Sequence, residues 1–159
     1  MQNVLKVVDV VNIGIEKEKA RRDFYGQVAQ HFDDAEMKDL FTRLRDWEEG
    51  HVRKFQKVRD SLDEPGTVES YPGEMEAYMR ALVDDKLYND VSADSFGDTI
   101  KTPVDAIQTG IGFEKDAILI FMELAGMVQS RNKEVIMDLI AEERQHIVHL
   151  IKLRKKYTS

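Results

Sequence analysis

The sequence holds two Glu-x-x-His tetrads, Glu48-Glu49-Gly50-His51 and Glu143-Arg144-Gln145-His146. On a helix, residues three apart share a face, so each tetrad can turn a carboxylate and an imidazole toward one point. Both tetrads lie on apolar stripes of helical period, and two further stripes each carry one glutamate, Glu18 and Glu114. Gathering four carboxylates in a core without countercharge would cost many kcal/mol or force most of them to take up protons. Two divalent cations would neutralise them, so the chemistry this set suggests is a dinuclear metal site.

A single Glu-x-x-His is weak evidence. Its weight here comes from repetition. The separation from Glu18 to Glu48 nearly equals that from Glu114 to Glu143, and the pattern Glu18-Lys19 followed by Phe24-Tyr25 matches Glu114-Lys115 followed by Ile120-Phe121. By this symmetry Glu18 with His51 and Glu114 with His146 each complete one ion, while Glu48 and Glu143 bridge. The roles could equally be permuted. An alternative alignment of Ile13-Gly14-Ile15-Glu16-Lys17 with Ile111 to Lys115 would nominate Glu16, but Glu16 falls about 200° round the helix from the Glu18 stripe. The competing reading without metal is a set of core-edge salt bridges involving Arg22. It fails because no helix sets a cation on the stripe beside every carboxylate.

The chain has no cysteine, which leaves oxygen and imidazole as its strong ligands and excludes disulfides, iron–sulfur clusters and thiolate zinc. Carboxylates with one imidazole per ion point to two iron ions, with manganese or zinc as alternatives. Tyr25 lies two turns beyond Glu18 on the same stripe. Its hydroxyl could bond a ligand or pass an electron, or its ring could be ordinary core, since its second-half counterpart is Phe121. His31 and His149 fall off the matched positions and read as surface or interface residues. Glu49 and Glu142 turn about 100° away from the ligands, so they read as solvated or supporting groups. Trp47 and the methionines read as packing.

These residues must be carried by four long helices in two pairs. The first stripe runs Val4, Val8, Val11, Ile15, Glu18, Arg22, Tyr25, Ala29 and Phe32; the second runs Met37, Phe41, Leu44, Glu48, His51, Phe55, Val58 and Leu62. Asp33-Asp34 between them can cap the second helix, and so short a connection makes an antiparallel hairpin. Residues 63–102 form a long crossover with turns at Pro65-Gly66, Pro72-Gly73 and Asn89 to Gly97, and a short amphipathic helix over 74–87. Thr102, Pro103 and Asp105 then open the third helix, with Val104, Ile107, Ile111, Glu114, Ile118, Phe121, Ala125 and Val128 inward. Ser130 caps the fourth, whose stripe is Ile136, Leu139, Glu143, His146, Leu150, Leu153 and Tyr157. The expectation is one all-α domain over 1–159, a four-helix bundle with helices over 4–32, 34–62, 103–129 and 131–157.

Composition agrees. With 42% hydrophobic and 33% charged residues the 159-residue chain can bury a core as a single domain. The net charge of −7 is spread among interleaved signs, and the basic run Lys17 to Arg22 is broken by Glu18 and Ala20, so nucleic acid is not an expected partner. No apolar stretch approaches the roughly 20 residues of a membrane span, and the N-terminus lacks the pattern of a signal peptide. A cytoplasmic location is expected.

With both tetrads and both Glu-Lys segments in view, the chain resembles the rubrerythrin-like members of the ferritin-like superfamily over nearly its whole length. The resemblance implies a di-iron carboxylate site that reacts with peroxide or dioxygen while Fe(II) becomes Fe(III). It would reduce peroxide as in rubrerythrins, or oxidise Fe(II) for storage as in ferritins and bacterioferritins. It also implies a homodimer. Two features depart from the rubrerythrin pattern. No cysteine-ligated rubredoxin-type domain is present, so electrons would come from a separate, rubredoxin-like donor protein. Ala117 occupies the place where many rubrerythrins carry an extra glutamate, which brings the ligand set closer to the bacterioferritin kind. A third possibility is a bundle whose metals only stabilise it.

Overall fold

The computed structural model describes residues 6–62, 73–84, 95–128 and 130–158. Four long helices make the bundle: α1 (Val7–His31), α2 (Ala35–Ser61), α5 (Pro103–Met127) and α6 (Ser130–Thr158). Two short ones, α3 (Gly73–Val83) and α4 (Phe96–Thr99), lie in the crossover. No strand occurs among the described residues. α1 packs along α2 and α5 along α6; α1 also meets α5, and α2 meets α6, while α3 rests on α5. The architecture is the expected pair of helix hairpins joined by a long crossover.

Local chemistry explains the helix ends. Asp34 caps α2, its Oδ1 accepting from the Glu36 and Met37 amides at 3.0 and 3.1 Å. Thr102 and Asp105 form a reciprocal capping box with Pro103 in the first turn of α5. Long-helix ends differ from the expected spans by no more than a few residues. The expected start of the first helix near residue 4 and the turn at Pro65-Gly66 lie outside the described residues. Ser130 is the first residue of α6 itself.

The crossover departs from expectation in detail. The short helix begins at Gly73, which was expected in a turn, and ends at Val83; residues 85–87 lie outside the described part. Gly97, also expected in a turn, belongs to the single helical turn α4. Phe96 accounts for that turn, because its ring is 7% exposed and packs 5.8 Å from Phe24.

Two apolar clusters fill the bundle. One gathers Val11, Ile15, Phe55, Phe121, Leu124, Ile136 and Leu139; the other gathers Phe24, Val28, Met37, Phe41, Ile107, Phe113 and Leu150. Every ligand candidate falls in sequence between the contributions its helix makes to the two clusters. The bundle therefore carries a polar layer between two apolar ones.

Candidate metal centre

All six ligand candidates meet in that layer. Glu18, Glu48, Glu114 and Glu143 are fully buried, with His51 and His146 at 1% and 3% exposure. His51 Nδ1 lies 3.6 Å from Glu18 Oε2, 3.2 Å from Glu48 Oε2 and 3.0 Å from Glu143 Oε1. His146 Nδ1 lies 3.3 Å from Glu48 Oε1, 3.4 Å from Glu114 Oε1 and 2.9 Å from Glu143 Oε2. Two overlapping groups result, Glu18–Glu48–His51–Glu143 and Glu48–Glu114–Glu143–His146, each with one ligand atom per residue within 4.8 Å of the others. Glu48 and Glu143 belong to both. Glu16, by contrast, is on the surface, 72% exposed and paired with Lys19.

These side chains satisfy one another only in part, through His51 Nδ1 and Glu143 Oε1 at 3.0 Å. Both oxygens of Glu48, Oε2 of Glu18, of Glu114 and of Glu143, and Nδ1 of His146 are buried without a hydrogen-bond partner. Buried polar groups without partners are rare in native proteins, and each asks for an explanation. Acceptors that face acceptors can be held only by protons or cations. The set therefore fits a pair of metal ions, with oxygen and imidazole donors and two carboxylates placed to be shared.

Protons must do the holding when metal is absent. Burial, aided by the charges of Glu48 and Glu143, pushes the Glu18 and Glu114 carboxyls well above the ordinary range, against the pull of Arg21 on Glu18. Burial would lower the His146 imidazolium, but Glu114, Glu143 and Glu48 overcome this and push it up to about 12. His51 is raised for the same reason, with Glu143 and Glu142 the main causes opposing burial. Glu48 and Glu143 stay well below the usual range in spite of burial, because protonated neighbours surround them.

The layer also contains a cation that the inner stripe of the first helix does not include. Arg22, expected on the inner stripe, turns outward to Asp23 and Glu49 at 3.0 and 2.7 Å. Arg21 is the buried one, with no exposure. Its Nη2 donates to Glu18 Oε1, its Nη1 donates to the Phe113 carbonyl at 2.9 Å, and its Nε is 3.9 Å from Glu48 Oε2. Glu18 and Arg21 have the same i, i+3 spacing as the two tetrads, a signal that admits Arg21 without excluding Arg22 at i+4.

Other neighbours support the ligands. The Tyr25 hydroxyl donates to Glu114 Oε1 at 2.5 Å, across the bundle from its own helix. Gly110 makes room for it, since a Cβ there would meet Tyr25 Cε1 at 3.3 Å. His51 Nε2 pairs at 2.7 Å with Glu142, which also holds Lys54 at 2.7 Å. Glu142 is therefore drawn down to about 2, chiefly by His51. Trp47, expected as packing, stacks its ring on His146 at 5.0 Å and 11° and on His149 at 5.7 Å and 29°. His31 lies far from this layer, against Phe32 and Phe96. A cleft of about 420 Å³ at the α2–α6 seam has both ligand imidazoles, Trp47 and Glu142 in its lining.

The backbone superposes on the crystal structure of a Thermotoga maritima protein described as a candidate ferritin-like diiron-carboxylate protein, with a TM-score of 0.69 over 99% of this chain and 100% of that one. The fold is ferritin-like. Sequence identity to that protein is 24%, so the likeness extends to the fold. No protein-family model and no curated protein matches the sequence. Among the described residues of this ferritin-like bundle, no helix is long and apolar enough to cross a membrane.

Proposed function

We propose that the protein is a non-haem di-iron carboxylate oxidoreductase that reduces hydrogen peroxide, or oxidises Fe(II), with electrons from an external donor. The observation that carries this reading is the unpartnered set of oxygens on four fully buried glutamates, opposed by two imidazoles. Glu18 and His51 would hold one ion, Glu114 and His146 the other, and Glu48 and Glu143 would serve both. Two bound iron ions would supply the electrons and the Lewis acidity for cleavage of an O–O bond. The chain's own part is to fix the ligands, exclude bulk water and manage protons. Reduction of peroxide to two waters consumes two electrons and two protons. The Tyr25 hydroxyl would hold and orient Glu114 beside the layer, and burial pushes that carboxyl well above the ordinary range. The cleft whose lining includes the two imidazoles would be the side from which a small oxidant approaches.

The ligand set on two Glu-x-x-His helices supports a di-iron site common to rubrerythrins and bacterioferritins, and Ala117, where many rubrerythrins carry an extra glutamate, weakens the peroxide-reducing assignment without weakening the site. The donor would be a separate rubredoxin-like protein, and a homodimer is the expected assembly. The deciding experiment loads the protein with Fe(II) without oxygen and follows its oxidation on addition of peroxide. Two irons per chain and rapid oxidation are expected, both lost in a Glu48→Ala, Glu143→Ala double variant. Equal rates in the variant would overturn the reading. A hollow shell that takes up many irons per chain would assign storage instead, and metal that only raises the melting temperature would assign a structural role.

A further inference from the structure

The two metal positions share Glu48 and Glu143 but differ in what stands behind the terminal glutamate. Glu18 accepts from Arg21, a guanidinium that stays charged at any pH the protein meets. Arg21 has no exposure, and its other donor is fixed by the Phe113 carbonyl. Glu114 accepts from Tyr25, a neutral hydroxyl. The internal repeat that aligns Glu18 with Glu114 aligns Arg21 with Ala117, so the second half has no cation in the corresponding place.

We propose that Arg21 makes the two positions unequal, so that the Glu114–His146 position takes the first divalent ion and the Glu18–His51 position the second. This rests on the dinuclear reading above. Each terminal glutamate keeps only its Oε2 without a partner, but a carboxylate whose charge is already balanced by a guanidinium is a poorer ligand than one held by a neutral hydroxyl. The same guanidinium lies 3.9 Å from Glu48 Oε2, the Glu48 oxygen nearer His51, and repels a cation on that side. One effect opposes this: Glu142 on His51 Nε2 makes that imidazole a stronger donor. Glu142 is 42% exposed and shared with Lys54, so water and the lysine damp it. A fully buried charge outweighs a half-exposed, compensated one. Arg21 acts here through Glu18 and Glu48 and is a positioning residue.

The test titrates metal-free protein with Co(II), which needs no redox step, and reads the binding isotherm. Two steps are expected, the first tighter by about tenfold or more, the scale on which groups supporting a ligand act. Crystals grown with one equivalent should give anomalous density beside Glu114 and His146 only. Arg21→Gln should merge the steps, while Arg21→Lys, which keeps the charge, should preserve the gap. First density beside Glu18 and His51, or an unchanged gap in Arg21→Gln, would overturn the proposal; loss of the gap in Arg21→Lys would overturn its basis in charge. If Arg21→Gln does not fold, the wild-type map decides alone. Two ions bound in one step would sink this inference and leave the dinuclear reading standing; no bound ion would sink both.

Discussion

Behind His51 stands Glu142, and behind His146 stands Trp47. The two supporting residues occupy corresponding places, each immediately before a tetrad, and each serves the imidazole of the opposite half. Behind Glu18 stands Arg21, and behind Glu114 stands Tyr25. One half of the centre is thus surrounded by charge, with Arg21, Glu142 and Lys54, and the other by a phenol and an indole. The repeat fixes where a supporting group can stand but not what chemistry it brings. Metal ligation needs the same donors in both halves, whereas affinity and potential are set by neighbours, which are free to diverge.

The largest effect should come from breaking what the halves share. Glu143→Ala removes a candidate ligand of both groups and leaves His51 Nδ1 and His146 Nδ1 without their nearest carboxylate oxygens. Both ions should be weakened by more than the roughly 10- to 100-fold that loss of a supporting group costs. An isotherm that keeps one full-affinity ion would show that Glu143 does not bridge.

Next in size is a change confined to one half. Glu142→Gln takes the carboxylate from His51 Nε2 and should weaken the second Co(II) step by roughly 10-fold at most, since water and Lys54 damp that carboxylate, leaving the first within a few-fold of wild type. Trp47→Phe keeps a ring on His146 and should change neither step much. Equal losses in both steps with Glu142→Gln would mean the halves are not electrostatically separate.

The donor set and the four stripes could be read from sequence because each follows a rule of spacing that a helix enforces. Glu18 could be separated from Glu16, since these positions lie on opposite faces. Arg21 and Arg22 could not be separated by the same rule. From Glu18 the inner stripe can step three or four residues, and both steps keep to the buried arc. The choice was made by tertiary contacts, with Phe113 offering a carbonyl inside and Glu49 a carboxylate outside. Glu142 was legible as a neighbour of the ligand candidates and Trp47 only as packing, because their partners lie on another helix and no spacing rule within one helix pairs residues across a seam. Gly97 illustrates a further limit, because burial of the adjacent Phe96 ring decides for a helical turn where the glycine suggests an open one.

A smaller effect tests what replaces metal. Glu18, Glu114 and His146 all bind protons more tightly in the metal-free fold than in the unfolded chain. The folded state therefore holds more protons, and stability must fall as pH rises. For His146 the loss begins near 6.5 and continues toward about 12. The depressed carboxylates Glu48, Glu143 and Glu142 contribute fully above their unfolded values and add no slope between pH 6 and 9. Metal-free protein should melt several degrees lower at pH 9 than at pH 6, and bound divalent ions should flatten or reverse that trend. A metal-free melting temperature that rises between these pH values would contradict the proton-loaded centre.

The smallest predicted effect concerns the neutral half alone. Gly110 leaves room for Tyr25, and an added methyl would meet Tyr25 Cε1 at 3.3 Å and Leu150 Cδ1 at 3.4 Å. The first contact is tighter than ordinary packing and the second stands at its edge, and each is with a side chain that can shift. Gly110→Ala gains helix propensity worth just under about 1 kcal/mol and loses about 1–3 kcal/mol to overpacking. The net should be a loss of about 1 kcal/mol, a fall of roughly 2–4 °C in melting temperature for a chain of this size. Because the displaced ring carries the hydroxyl that reaches Glu114, the first Co(II) step should weaken slightly while the second does not. A melting temperature at or above wild type, with both steps unchanged, would show that the Tyr25 ring can give way without moving its hydroxyl off Glu114.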